Sequence, residues 1–213
     1  MKIKWLGHAT FLITSDAGIK IITDPYKTVG AIKYGEITES ADVVTVSHEH
    51  GDHNNVAAVT GNPVVLRDTA RVKGIQFKAI LTHHDEAGGS QRGNNIVFCF
   101  EVDGLKVCHL GDLGHPLSGS QVAEIGKVDI LLAPVGGTYA IDGRGATEIA
   151  GQLAARVIIP MHFKTDKCDL PIAGVDEFLK GKPRVRRLTT SEVEFKKDKF
   201  STATEIIVLQ PAL

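Results

Sequence analysis

The 213-residue sequence is poor in several features that would mark other classes of protein. It has three cysteines, Cys99, Cys108 and Cys168, and they show no metal-type spacing. A disulfide scaffold is thereby excluded, and a reducing cytoplasm is the expected compartment. Neither sign of charge is in excess: 24 Lys and Arg stand against 25 Asp and Glu, a formal net charge of −1. The chain therefore carries no global electrostatic footprint for nucleic acid, which leaves only a local patch open. No apolar stretch approaches the roughly 20 residues that span a bilayer. The start, Met1-Lys2-Ile3-Lys4-Trp5, alternates like a strand and lacks the apolar core and cleavage site of a secretory signal. Internal repeats and low-complexity linkers are also missing. What remains is an ordinary globular composition, 43% hydrophobic, expected to form one domain over residues 1–213.

Hydrophobic periodicity predicts short strands first and alternating strands and helices later. Residues 2–7, 10–15 and 19–23 read as strands, with Asp16-Ala17-Gly18 as a hairpin turn. Residues 26–40 are a mixed loop suited to one wall of a cleft, and 43–46 a buried strand. A short helix is expected over 54–60, then strands over 64–66, 75–82 and 95–102, the last two separated by a glycine-rich loop. Asp103-Gly104 is the strongest hairpin turn and leads into a strand over 106–110. Further helices are expected over 121–126, over 147–155 with Thr147 as N-cap, and over 174–180. Strands are expected over 129–133 and 157–159, with a strand pair at 192–196 and 204–209. This order suits two sheets faced by helices.

Directly after the apolar run Val43-Val44-Thr45-Val46 comes Ser47-His48-Glu49-His50-Gly51-Asp52-His53. Nine histidines in the whole chain make this His-x-His-x-Asp-His spacing a chance event in about one such chain in a thousand. Imidazole is the commonest metal ligand, and so many ring nitrogens packed together without a shared partner are costly. If the extended path continues, His48 and His50 share one face, and the Gly51 turn aims Asp52 and His53 at a second point. The cluster points to metal.

The motif His48-x-His50-x-Asp52-His53 resembles the signature of the metallo-β-lactamase superfamily. Trp5-Leu6-Gly7-His8-Ala9-Thr10-Phe11, Thr23-Asp24-Pro25, His109-Leu110-Gly111-Asp112 and Pro160-Met161-His162-Phe163 are similar to the branch containing ascorbate-6-phosphate lactonase and the N-acylphosphatidylethanolamine-hydrolysing phospholipase D. The resemblance implies an α/β fold, a four-layer αββα sandwich of two mixed β-sheets flanked by helices. It also implies two divalent metal ions, with zinc the first choice and manganese or iron open. His48, His50 and His84 would hold one ion, Asp52, His53 and His162 the other, and Asp112 both. His84 is preferred over His83 because adjacent strand residues point to opposite sides and the family places Asp after the ligand.

The implied activity is hydrolysis of an ester-like bond, a phosphodiester or a lactone or carboxylic ester, by a metal-bound hydroxide. Asp52 would hold the proton of the nucleophile, and Tyr139, in Gly136-Gly137-Thr138-Tyr139, would polarise a substrate oxygen. The alternative is a non-hydrolytic metal-binding or iron redox protein on the same scaffold. Asp24 resembles the aspartate that orients a histidine ligand. His109 reads as a packed strand residue, His115 as a rim residue, and His8 as either a pocket or a structural residue. A phosphodiester would call for nearby cations, with Arg67, Arg71, Arg92 and Arg144 as candidates. The expected partner is a small-molecule substrate, and a homo-oligomer is compatible with the composition.

Overall fold

Alternation of apolar residues builds the first sheet. In β1 (Lys2–Gly7), β2 (Thr10–Thr14), β3 (Lys20–Thr23) and β4 (Val43–Thr45), the side chains of Ile3, Trp5, Phe11, Ile13, Ile21 and Val43 share one core, and Leu12, Ile22 and Val44 join a second on the other face. The computed structural model describes residues 1–201 and 203–213. β5 (Val64–Leu66) and β13 (Glu192–Glu194) complete a six-stranded sheet of order β13-β1-β2-β3-β4-β5. The second sheet has eight strands. It takes β6 (Ala70–Val72), β7 (Ile75–His83), β8 (Asn94–Val102), β9 (Leu105–His109), β10 (Ile130–Pro134), β11 (Val157–Met161), β12 (Val185–Arg187) and β14 (Glu205–Val208) in the order β12-β14-β11-β10-β9-β8-β7-β6. The main core, with Trp5, Phe11, Phe77, Phe98, Phe100 and Ile130, lies between the sheets. The fold is thus an α/β sandwich of two mixed sheets.

The helices sit with the second sheet. Helix α1 (Gly119–Ile125) packs on β7, α2 (Gly143–Gln152) on β10, and α3 (Val175–Leu179) on α2. Over the outer face of the first sheet, Tyr26, Tyr34, Ile37, Cys168 and Ile172 fill the same role from irregular chain. Residues 26–40 therefore seal a core instead of walling a cleft. No helix of the described residues is long and apolar enough to cross a membrane.

Strand direction gathers the functional segments at one edge. β1, β3 and β4 run parallel to one another in the first sheet, as do β7, β9, β10 and β11 in the second. Their C-terminal ends meet along a common rim, the place where open α/β sheets bind ligands. His8, Asp24, Ser47, His84, Asp112, Tyr139 and His162 all follow these ends in sequence.

Several expected elements differ in detail. The 54–60 helix is a single 3₁₀ turn, Val56–Ala58, whose N-cap Asn55 makes no side-chain capping bond. α2 starts four residues before Thr147, because the Asp142 carboxylate caps the amides of Arg144 and Gly145, while the Thr147 hydroxyl donates back to Gly143 O. The strands near 192–196 and 204–209 are not partners. β13 pairs antiparallel with β1, and β14 lies parallel between β11 and β12, so the two belong to different sheets. β6 and β12 went unrecognised because each is only three residues long and β12 lies in a basic stretch.

Candidate metal centre

β4 ends at Thr45 and the chain bends from Ser47 onward, so no extended path carries His48 and His50 to one face. A turn closed by the His53 amide on His50 O (2.9 Å) brings them together instead, with ring centroids 4.6 Å apart. The His84 ring stands 4.7 Å from that of His48 and 5.1 Å from that of His50. Ligand atoms of His48, His50 and His84 all lie within 4.8 Å of one another, and so do those of His8, Asp52, His53 and His162. Asp112 stands between the two groups. Its Oδ2 is 3.3 Å from His53 Nε2, 3.3 Å from His162 Nε2 and 3.4 Å from His84 Nε2. His83 is outside the cluster, its amide donating to His115 Nε2 (3.0 Å) and its ring beside Asn94 Oδ1 (3.3 Å).

Asp24 organises the histidine loop. Its Oδ1 accepts the Ser47 amide at 2.8 Å, and its Oδ2 accepts the Ser47 hydroxyl at 2.5 Å and His53 Nδ1 at 2.9 Å. With its proton given to Asp24, Ser47 Oγ accepts from His48 Nδ1 (2.9 Å). One carboxylate thereby orients His53 directly and His48 through Ser47, leaving each Nε2 turned inward. This serine step was not foreseen, since a serine before the motif carries no signal of its own. Ser47→Ala should lower metal affinity about 10–100-fold, as loss of an outer partner of a ligand does. Chelator competition measures it, and an unchanged affinity would show that His48 needs no such support.

Asp112 is placed by a second buried polar group. Asn95 Oδ1 accepts the Asp112 amide (2.9 Å), and Asn95 Nδ2 donates to Thr82 Oγ1 (2.8 Å) and Leu110 O (2.9 Å). Gly111, at φ +57, lets the chain pass between; a Cβ there would overlap Asn95 Oδ1 and the Ser47 side chain. Asn95 was missed because a lone asparagine in a strand has no pattern. His8, Asp24 and His162 hold positive φ values of 50°, 38° and 50°, and such sparsely populated conformations cluster at functional sites. The His8 carbonyl is anchored by Trp5 Nε1 (3.0 Å) and the His162 amide (3.2 Å). Its ring lies against His162, centroids 4.2 Å apart, and its Nε2 donates to Asp52 Oδ2 at 3.3 Å. His109 is a core residue, with Nε2 donating to Ala9 O and Nδ1 accepting the Gly111 amide.

The donor set fits metal ions. The buried atoms His48 Nε2, His53 Nε2, Asp112 Oδ1 and the Nδ1 atoms of His8, His84 and His162 lack hydrogen-bond partners, as does Thr45 Oγ1 nearby in the chain. Polar atoms so placed are costly unless a cation shares them. Burial pushes the His48 ring down to about 3 and the His8 ring down to about 4, so both are neutral near pH 7. His53 differs: burial opposes its charge, but Asp112 and Asp24 outweigh burial and hold its pKa well above the ordinary value. Burial likewise pushes Asp112 upward, and His162 and His53 overcome it to keep the carboxyl well below its usual range.

Above this floor lies a cleft of about 330 Å³ lined by His50, Asp52, His84, Gln91, Arg92, Asp112, Tyr139, His162 and Leu170. Of the four candidate arginines, only Arg92 lines this cleft. Arg67 is paired with Glu49 on the outside of the histidine loop, Arg71 is on the edge strand β6, and Arg144 is exposed in the first turn of α2.

Two mixed sheets, with the α-helices of the described residues on the second only, carry a His/Asp cluster at a shared rim and define an α/β sandwich able to bind metal. The family model of the β-lactamase superfamily domain matches residues 2–162, and the chain belongs to the metallo-β-lactamase superfamily. It is 32% identical over 202 residues to a UPF0173 metal-dependent hydrolase of Carboxydothermus hydrogenoformans, covering 78% of this chain and 85% of the relative. A similar relative from Archaeoglobus fulgidus is 28% identical over 198 residues, covering 78% of this chain and 84% of the relative. A crystal structure from Thermotoga maritima, of a proposed Zn-dependent hydrolase of the superfamily, superposes with a TM-score of 0.80. It shares 40% identity, over 98% of this chain and 99% of that one.

Proposed function

We propose that this protein is a metal-dependent hydrolase that holds two divalent ions, zinc by first choice, and cleaves an ester-like bond in a small molecule. The observation that carries the reading is Asp112 Oδ2, within 3.4 Å of a nitrogen from each of the two ligand groups at the floor of an open cleft. His48, His50 and His84 would hold one ion, Asp52, His53 and His162 the other, and Asp112 both. When bound, such ions lower the pKa of water and polarise a carbonyl or phosphoryl oxygen. Asp52, ionised and held by His8, has a side chain 31% exposed to the cleft, so its free oxygen can take the proton of an attacking water. Tyr139, on the cleft wall, can donate its hydroxyl to a substrate oxygen. Relatives named as metal-dependent hydrolases support the reaction class. The three cysteines are buried and free, in keeping with a reducing cytoplasm.

The test is metal content and turnover together. Protein saturated with zinc or manganese should retain two equivalents per chain after dialysis and hydrolyse at least one of a panel of phosphodiesters, lactones and thioesters. A folded, active protein that never holds more than one ion would leave mononuclear hydrolysis by the three-histidine group. Redox activity with iron and no hydrolysis would favour the alternative role.

A further inference from the structure

Residues 85–93 form the cleft wall that carries Arg92, and Asp85 sets their shape. Its Oδ1 accepts the amides of Ala87 (2.8 Å) and Gly89 (2.9 Å), and its Oδ2 those of Gln91 (3.0 Å) and Arg92 (2.7 Å). The His84 amide donates to Gly93 O (3.0 Å) and ties the far end of the loop to the end of β7. The backbone beneath Arg92 is therefore fixed relative to the ligand cluster. Asp85, already saturated by amides, is not available to the guanidinium.

Arg67, Arg156, Arg186 and Arg187 each face a carboxylate. Arg92 has no such partner among the described residues, although it is only partly exposed. Its guanidinium lies over the Tyr139 ring, 5.4 Å from the centroid. Stacking on an aromatic face steadies an arginine while leaving its fork of N–H donors free at the edge. Tyr139 and Arg92 line the same cleft as His50, Asp52, Asp112 and His162. A positioned cation with unused donors, beside a hydrolytic site, is suited to an oxyanion.

We propose that Arg92 determines specificity by binding an oxyanion group, carboxylate or phosphate, on a substrate whose scissile bond lies over the ligand cluster. This rests on the hydrolase reading and narrows its substrate class to small anionic esters. Tyr139 positions the guanidinium as well as facing the substrate.

The test uses zinc-loaded full-length protein and three ethyl esters of equal acyl length, followed by pH-stat: ethyl butyrate, monoethyl succinate and ethyl 3-phosphonopropionate. Wild type should favour at least one anionic ester over the neutral one by about 10–100-fold in kcat/KM, carried by KM, as a charge-assisted pair provides. Arg92→Gln should abolish that preference, read as the ratio of anionic to neutral kcat/KM within the variant. Arg92→Lys, which keeps charge but not the fork, should retain part of it. The anionic ester with the larger dependence on Arg92 identifies the oxyanion. Thermal unfolding checks that both variants fold. Calorimetric binding of succinate and glutarate against butyrate and valerate gives a readout independent of turnover.

Esters hydrolysed without preference for an anionic member, or a preference that survives Arg92→Gln, would overturn the anion site and leave the hydrolase reading standing. Dicarboxylates that bind no tighter than their monocarboxylate counterparts would overturn it as well. Tighter dicarboxylate binding that depends on Arg92, with none of these esters and none of the phosphodiesters, lactones and thioesters cleaved, would support the anion site and sink the hydrolase reading.

Discussion

Asp112→Asn is expected to strip the protein of stably bound metal and of nearly all turnover. The substitution is isosteric, and the contact that places residue 112 is made by its backbone amide on Asn95, so the fold survives. What disappears is a buried negative charge within 3.3–3.4 Å of three imidazoles. Loss of an outer partner alone costs about 10–100-fold in affinity or activity, and a ligand shared by two ions should cost more than that. Metal content after dialysis and kcat, with thermal unfolding as the control for folding, decide the matter. A variant that keeps two ions and most of its rate would reduce Asp112 to a turn residue.

The second large effect separates neighbours. His84→Ala removes a ring whose Nε2 faces Asp112 and whose plane packs beside His48 and His50. One metal should be lost, with activity down by more than about 100-fold. His83→Ala removes a ring that leans on His115 and Asn94 outside the cluster. It should keep both metals and cost about 1 kcal/mol at most. Metal content and the shift in thermal unfolding on adding zinc distinguish the two variants. Loss of metal from His83→Ala, with His84→Ala unaffected, would reverse the assignment by one residue.

The same pair shows how far local reasoning reaches: alternation separates His83 from His84, and the resemblance selects His84. Period-two alternation requires His83 and His84 to diverge, and β7 runs to His83 before the chain leaves the sheet. The structure brings the second of them beside His48. For His48 and His50 the alternation argument failed, because β4 stops at Thr45 and the turn on Gly51 gathers the rings. Residue identity pointed to the cluster, but the geometry came from hydrogen bonds to Asp24, which lies 23 residues before Ser47.

By itself the sequence determined the alternating faces of the strands, the histidine cluster, the Asp103-Gly104 turn and membership of a family with two mixed sheets. The first three follow from side-chain period, ligand chemistry and turn chemistry, all of which are local, and the last from the resemblance of its motifs to the superfamily. Only the tertiary structure decided which strands pair, because an alternating pattern specifies a buried face and not a neighbour. Glu192–Glu194 thus completes the sheet of β1, and Glu205–Val208 the sheet of β11. The parallel arrangement of β1, β3 and β4 in one sheet, and of β7, β9, β10 and β11 in the other, then carries His8, Asp24, His84, Asp112 and His162 to one rim. That convergence also puts Ser47 between Asp24 and His48, Asn95 under Asp112, and Arg92 on Tyr139. Apart from the Ser47–His48 bond between neighbours, these contacts join different segments of the chain, and no local pattern encodes a partner that only folding brings near.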